Sequence, residues 1–401
     1  MQFGVTSIPA RTAGALVIAG TLALGSACGT SPQVTADPVI DIARLDVGSY
    51  PTTPRELGPV KNADQARFIE AERLGNFVPT ASDIDPAFRE GNPSVSTVFI
   101  DPRNSLGKIM SIDRFAEAAP DFVAGFLSNG STDVRNQGRD LFNAVMIFPD
   151  EQRATAAAEA LERVDFEAAP QNERVQIPKY PAARAHWQPT QQSIGSWFAT
   201  GKFVVYTWIY DYLKIFLEKV DLPALFALVE KSLDTVVPAI GKFTPTPADQ
   251  LLNQPIDYDN MLSRTLPRPR EDSWIDPPGA YNGHAALHFT TDPVEDRRLI
   301  EEAGVDRFAV DATNVYRARD AAAAAKFRAD RGGLTKRFKS AESPQQLPVA
   351  KCKEYIGTQA MAIRFYCSVS QGRYAAFSWS HQLLDAQQRI SAQYAILVNA
   401  R

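Results

Sequence analysis

Few side chains in this 401-residue chain have the types and spacing that chemistry needs. There are four histidines, His186, His284, His288 and His381. His284 and His288 stand four apart and could share a helix face as metal ligands. No third ligand is evident, and Asn282-Gly283 before them with Phe289-Thr290-Thr291 after them read better as a turn into a strand. A Gly-x-Ser-x-Gly elbow, a Gly-rich phosphate loop and a His-Glu-x-x-His zinc motif are all missing. The expectation is a protein that is not an enzyme and uses no cofactor, with a triad assembled from distant residues as the remaining catalytic route. Asp83 and Asp85, next to Ser82 and Pro86, read as turn and cap residues.

The three cysteines say more. Cys352 and Cys367 have their midpoint inside Gly357-Thr358-Gln359-Ala360-Met361, between two strand-like runs, so they face each other across a hairpin. A disulfide there would contribute about 3 kcal/mol by chain-entropy reasoning. Neither a Cys-x-x-Cys spacing nor a neighbouring histidine supports a metal site. Cys28 is left over, directly after Leu24-Gly25-Ser26-Ala27, an apolar stretch and a single charge at Arg11. This resembles a signal peptide ending in a bacterial lipobox, although Gly25 stands where leucine is more usual. An ordinary secretory cut after Ala27 satisfies the same small-residue rule. The leftover thiol favours thioether lipidation at Cys28, and two or three acyl chains would then hold the protein on a membrane.

These groups need elements to position them. Residues 1–27 read as a leader and 28–40 as a lipidated cysteine with a polar tether reaching about 30 Å. Residues 41–243 then form an N-terminal domain, 244–283 a proline-rich connector, and 284–401 a C-terminal domain. The two domains look alike. Gly201-Lys202-Phe203-Val204-Val205-Tyr206-Thr207-Trp208 matches Gly372-Arg373-Tyr374-Ala375-Ala376-Phe377-Ser378-Trp379 in character at a constant offset of 171. Each half reads as strand, helix, antiparallel strands, helix, an α+β unit with helices on one face of its sheet. In the first half, 41–50 reads as an edge strand, 64–77 as a helix capped by Asp64, and 111–127 as a helix pair broken at Pro120.

Aromatic side chains are dense between Trp187 and Phe216. Trp197, Phe203, Tyr206 and Trp208, with Tyr374, Phe377 and Trp379 in the second half, are the candidates for lining an apolar ligand cavity; a packed core is the plainer alternative. A basic run, Arg328, Arg331, Lys336, Arg337 and Lys339, reads as a solvated loop, with anionic headgroups as the alternative. Without residues 1–27 the chain carries 41 basic against 46 acidic side chains, which argues against nucleic acid as a partner.

Several stretches carry a family resemblance: Leu45-Asp46-Val47-Gly48-Ser49-Tyr50-Pro51-Thr52, Pro120-Asp121-Phe122-Val123-Ala124-Gly125-Phe126, Phe243-Thr244-Pro245-Thr246-Pro247, Met261-Leu262-Ser263-Arg264-Thr265-Leu266-Pro267, Ala303-Gly304-Val305-Asp306 and Ser391-Ala392-Gln393-Tyr394. In these the chain is similar to a family of large actinobacterial cell-envelope lipoproteins with an N-terminal and a C-terminal domain of unknown function. The resemblance implies a protein anchored on the outer face of the cell membrane and brings no catalytic residue with it. Two roles stay open: binding a hydrophobic or lipid-like envelope component, or a structural, protein-interaction role at the surface. An envelope hydrolase is a distant third.

Overall fold

Periodic apolar residues, in several cases behind an aspartate cap, build the longer helices of the computed structural model, which describes residues 40–133, 137–269, 278–358 and 363–400. The leader, Cys28 and the tether lie outside them. Glu151–Glu167 (α4) begins where Asp150 accepts the Arg153 N–H at 2.8 Å, and buries Ala154, Ala157, Ala158, Leu161 and Val164 along one stripe. Its counterpart Ala321–Arg331 (α8) begins at Asp320, which accepts the Ala323 N–H at 2.8 Å.

In chain order the first half comprises α1 (Ala63–Gly75), α2 (Ala81–Ile84), β1 (Thr97–Phe99), α3 (Phe115–Ala118), β2 (Ala124–Ser131), β3 (Arg139–Ile147), α4, β4 (Glu173–Gln176), β5 (Arg184–Gln188), β6 (Ser193–Thr200), β7 (Phe203–Asp211), α5 (Tyr212–Phe216) and α6 (Leu222–Ile240). The second comprises β8 (Gly279–Asn282), α7 (Pro293–Ala303), β9 (Arg307–Val310), β10 (Thr313–Arg317), α8, β11 (Phe338–Ala341), β12 (Lys351–Tyr355), β13 (Phe365–Gln371), β14 (Tyr374–Ser380) and α9 (Leu383–Asn399).

The class is α+β, with two seven-stranded antiparallel sheets. Their strand orders are β1-β2-β3-β7-β6-β5-β4 and β8-β9-β10-β14-β13-β12-β11, the same topology twice. The match reaches the turns. Gly201 and Gly372 have φ of 52° and 51° at the first position of two-residue hairpin loops, where a type II′ turn wants glycine. Phe148 and Ala318, each just past the equivalent strand, donate their N–H to the second loop residue, Lys202 or Arg373, at 2.8 Å.

Helical cover extends to both faces of each sheet. On the first sheet, Val204 and Tyr206 meet α4, while Val205 and Ile209 meet Leu225, Leu228 and Val229 of α6. On the second, Tyr316 and Phe377 meet Phe327 of α8, while Val315 and Ala376 meet Ile390 and Leu397 of α9. Alternating apolar side chains on a central strand leave neither face fit for water, so each acquires a helix. The inner faces share one core running from α6 to α7 and α8, and everything from Ile40 onward forms a single compact body.

Three local expectations change. Residues 41–50 form a 3₁₀ turn, Ile42–Arg44, because the Asp41 carboxylate takes the Ala43 N–H at 3.1 Å. The segment then packs on α9, where the Tyr50 hydroxyl donates to Asp385 at 2.6 Å. The first helix is capped by Asn62, which accepts from Gln65, not by Asp64. Within 111–127 only Phe115–Ala118 is helical, and from Ala124 the chain enters β2, held between β1 and β3. Cys352 and Cys367 are direct register partners on β12 and β13, with Cα atoms 4.1 Å apart, and form a disulfide.

Candidate functional site

The arm 54–62, which precedes α1, does not stay with the first half. Arg55 carries it across to the second: its Nη2 reaches Asp311 Oδ2 at 2.5 Å, Thr265 Oγ1 at 3.1 Å and the Leu262 carbonyl at 3.3 Å. Facing it, the loop 257–263 is folded around Asp257, which accepts the N–H groups of Leu262 at 2.7 Å and Ser263 at 2.8 Å. Arm, α1 and loop border two adjoining open clefts of about 530 and 520 Å³ that share Arg55, Leu57 and Ile256. The first is polar, with Asn260, Arg264 and Asn399 in its wall. The second is apolar, walled by Leu57, Phe68, Ile69, Ile256, Leu262 and Pro278.

Glu72, from the third turn of α1, also lines the apolar cavity and is almost wholly buried. Burial pushes its pKa well above the usual carboxylate range, the negative charge of Asp257 adds to that, and the N–H of Ala280 opposes it. The Glu72 carboxyl lies against β8 where residue 279 is glycine; a Cβ there would sit 2.8 Å from the Glu72 Cδ. Arg55, Lys61, Asn62, Asp64 and Gln65 complete its lining.

The aromatic candidates are placed elsewhere. Trp197 and Tyr206 are fully buried and stacked, 4.0 Å between centroids, beneath α4. Trp208 lies on that face, edge-on to Phe142. Phe203 points the other way toward Phe243, Phe377 lies edge-on to Tyr316 on the α8 side, Tyr374 packs with Arg264 over its ring, and Trp379 pairs in register with Tyr366. The structure brings only Trp197, Tyr206 and Trp208 together. All seven pack against core or sheet neighbours, and none lines either cavity. A sheet covered on both faces consumes its large rings in packing.

Arg331 also departs from expectation, since it turns inward from the basic run. It pairs with Asp296 at 3.0 Å and lies over Phe377 at 4.9 Å, so it is neither solvated nor offered to headgroups. One convergent acid–base set does exist. His186 Nε2 lies 3.5 Å from Asp165 Oδ2, and its Nδ1 lies 3.7 Å from Glu162 Oε1. Trp197 donates to Asp165 at 3.1 Å, and burial pushes the pKa of both Asp165 and Tyr206 up. The set sits beneath α4, and neither cavity touches it. His284 and His288 do not converge on a common ligand. His284 Nε2 is 3.0 Å from Asp83 Oδ2, whereas buried His288 donates its Nε2–H to the Val78 carbonyl at 3.0 Å. Among the described residues no group of three or more His, Cys, Asp or Glu could hold a metal ion.

Family comparison accounts for both halves. The domain of unknown function (DUF7373) N-terminal matches residues 57–256, and the corresponding C-terminal domain matches residues 261–400. The chain belongs to the DUF7373 family. The junction between the two DUF7373 matches falls at the loop that walls the candidate site, and the first match begins in the arm at Leu57. No curated protein matches the chain. Among solved structures, the extracellular domain of PknH from Mycobacterium tuberculosis aligns with 47% of this DUF7373 chain and 100% of that domain, at 12% identity and a TM-score of 0.29. A likeness that slight carries no argument.

Sequence reasoning missed Arg55, Glu72, Asp257 and Asp311. One signal was present: Glu72 falls four residues after Phe68 and three after Ile69, on the apolar stripe of α1, where an unpaired acid is out of place.

Proposed function

We propose that this chain is an exported, lipid-anchored envelope lipoprotein that binds a hydrophobic or lipid-like component in the groove between the arm, α1 and the loop 257–263, without converting it chemically. The observation that carries the reading is the cavity of about 520 Å³ with a largely apolar surface and the buried Glu72 in its wall, of the size that small-molecule sites have. Export draws support from the leader and from the Cys352–Cys367 disulfide, a bond that persists in oxidising compartments. No described helix is long and apolar enough to cross a membrane, and the anchor at Cys28 would supply the attachment.

Native mass spectrometry of the protein purified from its own host, followed by solvent extraction, tests the binding. A retained lipid-like mass is expected; an empty protein that also takes up no added lipid would overturn it. The anchor is tested separately. Cys28→Ala should abolish labelling by a fatty-acid probe and move the protein from the membrane to the soluble fraction, and unchanged labelling would defeat the assignment.

A second reading, a surface that engages an envelope protein, is favoured by the turn after β7, where Leu213, Phe216, Leu217 and Val220 are exposed, Phe216 by 84%.

A further inference from the structure

The two halves differ where their equivalent helices end. Both α4 and α8 begin four residues after the strand they follow, but α4 runs for 17 residues and α8 for 11. The last turns of α4 cover its sheet: Asp165 lies 3.5 Å from the His186 ring, and Phe166 meets that ring edge-on at 5.9 Å. In the second sheet the register places Lys353, Tyr366 and Trp379 where the first has His186, Gly195 and Trp208. Here α8 stops at Arg331, and the Gly332 that follows lies beside Ser368, one row short of Tyr366 on the same face.

The row beyond the end of α8 is aromatic. Phe338 meets Tyr355 and Tyr366 edge-on at 5.5 Å, Trp379 is the register partner of Tyr366, and all four rings are half-buried. Leu334, in the loop before β11, and Ile356, just after β12, are 60% and 53% exposed. Rings reaching water on four adjacent strands, with two exposed aliphatic side chains, mark an interaction surface.

Charge and chain route select the partner. Segments 326–339 and 351–366 hold nine lysines and arginines against two acids, in a chain of net charge −4. Arg331 pairs with Asp296, Lys326 with Asp330, and Lys339 and Arg364 share Glu354. Lys336 and Arg337 are exposed and meet no carboxylate among the described residues. Aromatic rings beside such cations suit a lipid–water interface, the rings at headgroup level and the cations on anionic headgroups. The route of the chain favours lipid over an acidic protein. Asp46 and Tyr50 bond to Gln388 and Asp385 in the first two turns of α9, which starts four residues after Trp379. The segment leading back to Cys28 therefore leaves from this end of the second half, and an anchor there would bring this end to the bilayer.

We propose that the aromatic row of Phe338, Tyr355, Tyr366 and Trp379, with the basic loop carrying Lys336 and Arg337, is a docking face for an anionic bilayer surface. The inference rests on the anchoring part of the reading above and not on the groove.

The test uses the exported chain carrying Cys28→Ala, which has no acyl chain of its own. It should sediment with vesicles of phosphatidylglycerol and phosphatidylcholine at least about tenfold more tightly than with phosphatidylcholine alone, and be released at about 0.5 M salt. Lys336→Gln with Arg337→Gln should weaken that binding about ten- to thirtyfold. Leu334→Ser with Ile356→Ser, at two exposed positions, should weaken it about fivefold. Phe216→Ser, on the exposed turn of the first half, should leave it unchanged. No vesicle binding, binding indifferent to both double variants, or binding lost in Phe216→Ser would each overturn the proposal. Binding to polyglutamate but not to vesicles would also overturn it and assign the face to an acidic protein. None of these results touches the anchor, which is read from fatty-acid labelling of the chain with Cys28 intact. Vesicle binding by a chain whose Cys28 never takes the label would keep the docking face and remove the anchor.

Discussion

Asp311→Ala is expected to unfasten the arm and to lower stability by about 3 kcal/mol. Asp311 sits in the β9–β10 hairpin with its side chain 1% exposed. Its Oδ2 pairs with Arg55 at 2.5 Å, and its Oδ1 accepts the Arg268 N–H at 3.2 Å. Burial pushes the Asp311 pKa up, and the two arginines pull against it without cancelling it. Removing the carboxylate leaves the arginines without that compensation. The cost for a broken buried pair is about 3–5 kcal/mol, and the lower end applies because Arg55 keeps about a quarter of its side chain in water. Asp311→Asn keeps the acceptor oxygen and should lose less. Urea denaturation gives the stability difference, and trypsin gives the location, since Arg55 should become an early cleavage point in the alanine variant. An unchanged midpoint with Arg55 still protected would show that the arm is held by Tyr50 and Asn399 instead.

This dependence explains why the groove was illegible in the sequence while much of the fold was not. The repeat could be read because Gly201 and Gly372 must serve the same turn, and because α4, α6, α8 and α9 each declare one apolar stripe. The disulfide could be read because two cysteines equidistant from a turn have few other partners. β2 could not: Ala124, Gly125, Ser128, Asn129, Gly130 and Ser131 have low strand propensity, and tertiary pairing on both sides overrides it. The groove is built from residues near 55, 72, 257 and 311, and no local pattern links them. Glu72 shares its helix face with Phe68 and Ile69, yet the neighbouring Glu70 and Arg73 make the segment read locally as charged. Only the placement of the arm across the second half shows which acid is enclosed.

The repeat also constrains how the halves meet. The first sheet presents its α6 side inward and its α4 side outward, whereas the second presents α8 inward and α9 outward. Since α4 corresponds to α8 and α6 to α9, the two units pack through non-equivalent faces. Duplicated sequence therefore does not duplicate the environment of its elements. The contacts across the junction are correspondingly specific. Asp83 of α2 pairs with Arg297 of α7 at 2.8 Å and with His284 at 3.0 Å, and these partners outweigh burial and hold its carboxyl well below the usual range.

His288 makes that junction sensitive to acid. It lies in the second half, yet its Nε2–H is donated to Val78 of the first and its ring meets Phe126 at 4.8 Å. Burial lowers its pKa to about 4, and the positive charge that His284 can carry pushes the same way, against the Val78 carbonyl and Asp83. The unfolded chain, with an ordinary histidine near 6.5, binds the proton more tightly than the folded one. Stability from this group is thus fully present above about pH 6.5 and is lost as pH falls toward 4, by about 3 kcal/mol in total. His288→Gln can still donate to Val78 but cannot titrate. Its stability at pH 7 is expected to fall modestly, while the difference between pH 7 and pH 4 should shrink by most of that 3 kcal/mol. Chemical denaturation of both proteins at half-unit steps between pH 7 and 4 measures this, and parallel profiles would exclude His288 as the cause. Glu72 works in the opposite direction, because its raised pKa makes the folded state the better proton binder; the histidine contribution must therefore be read from the difference between the two profiles rather than from either one.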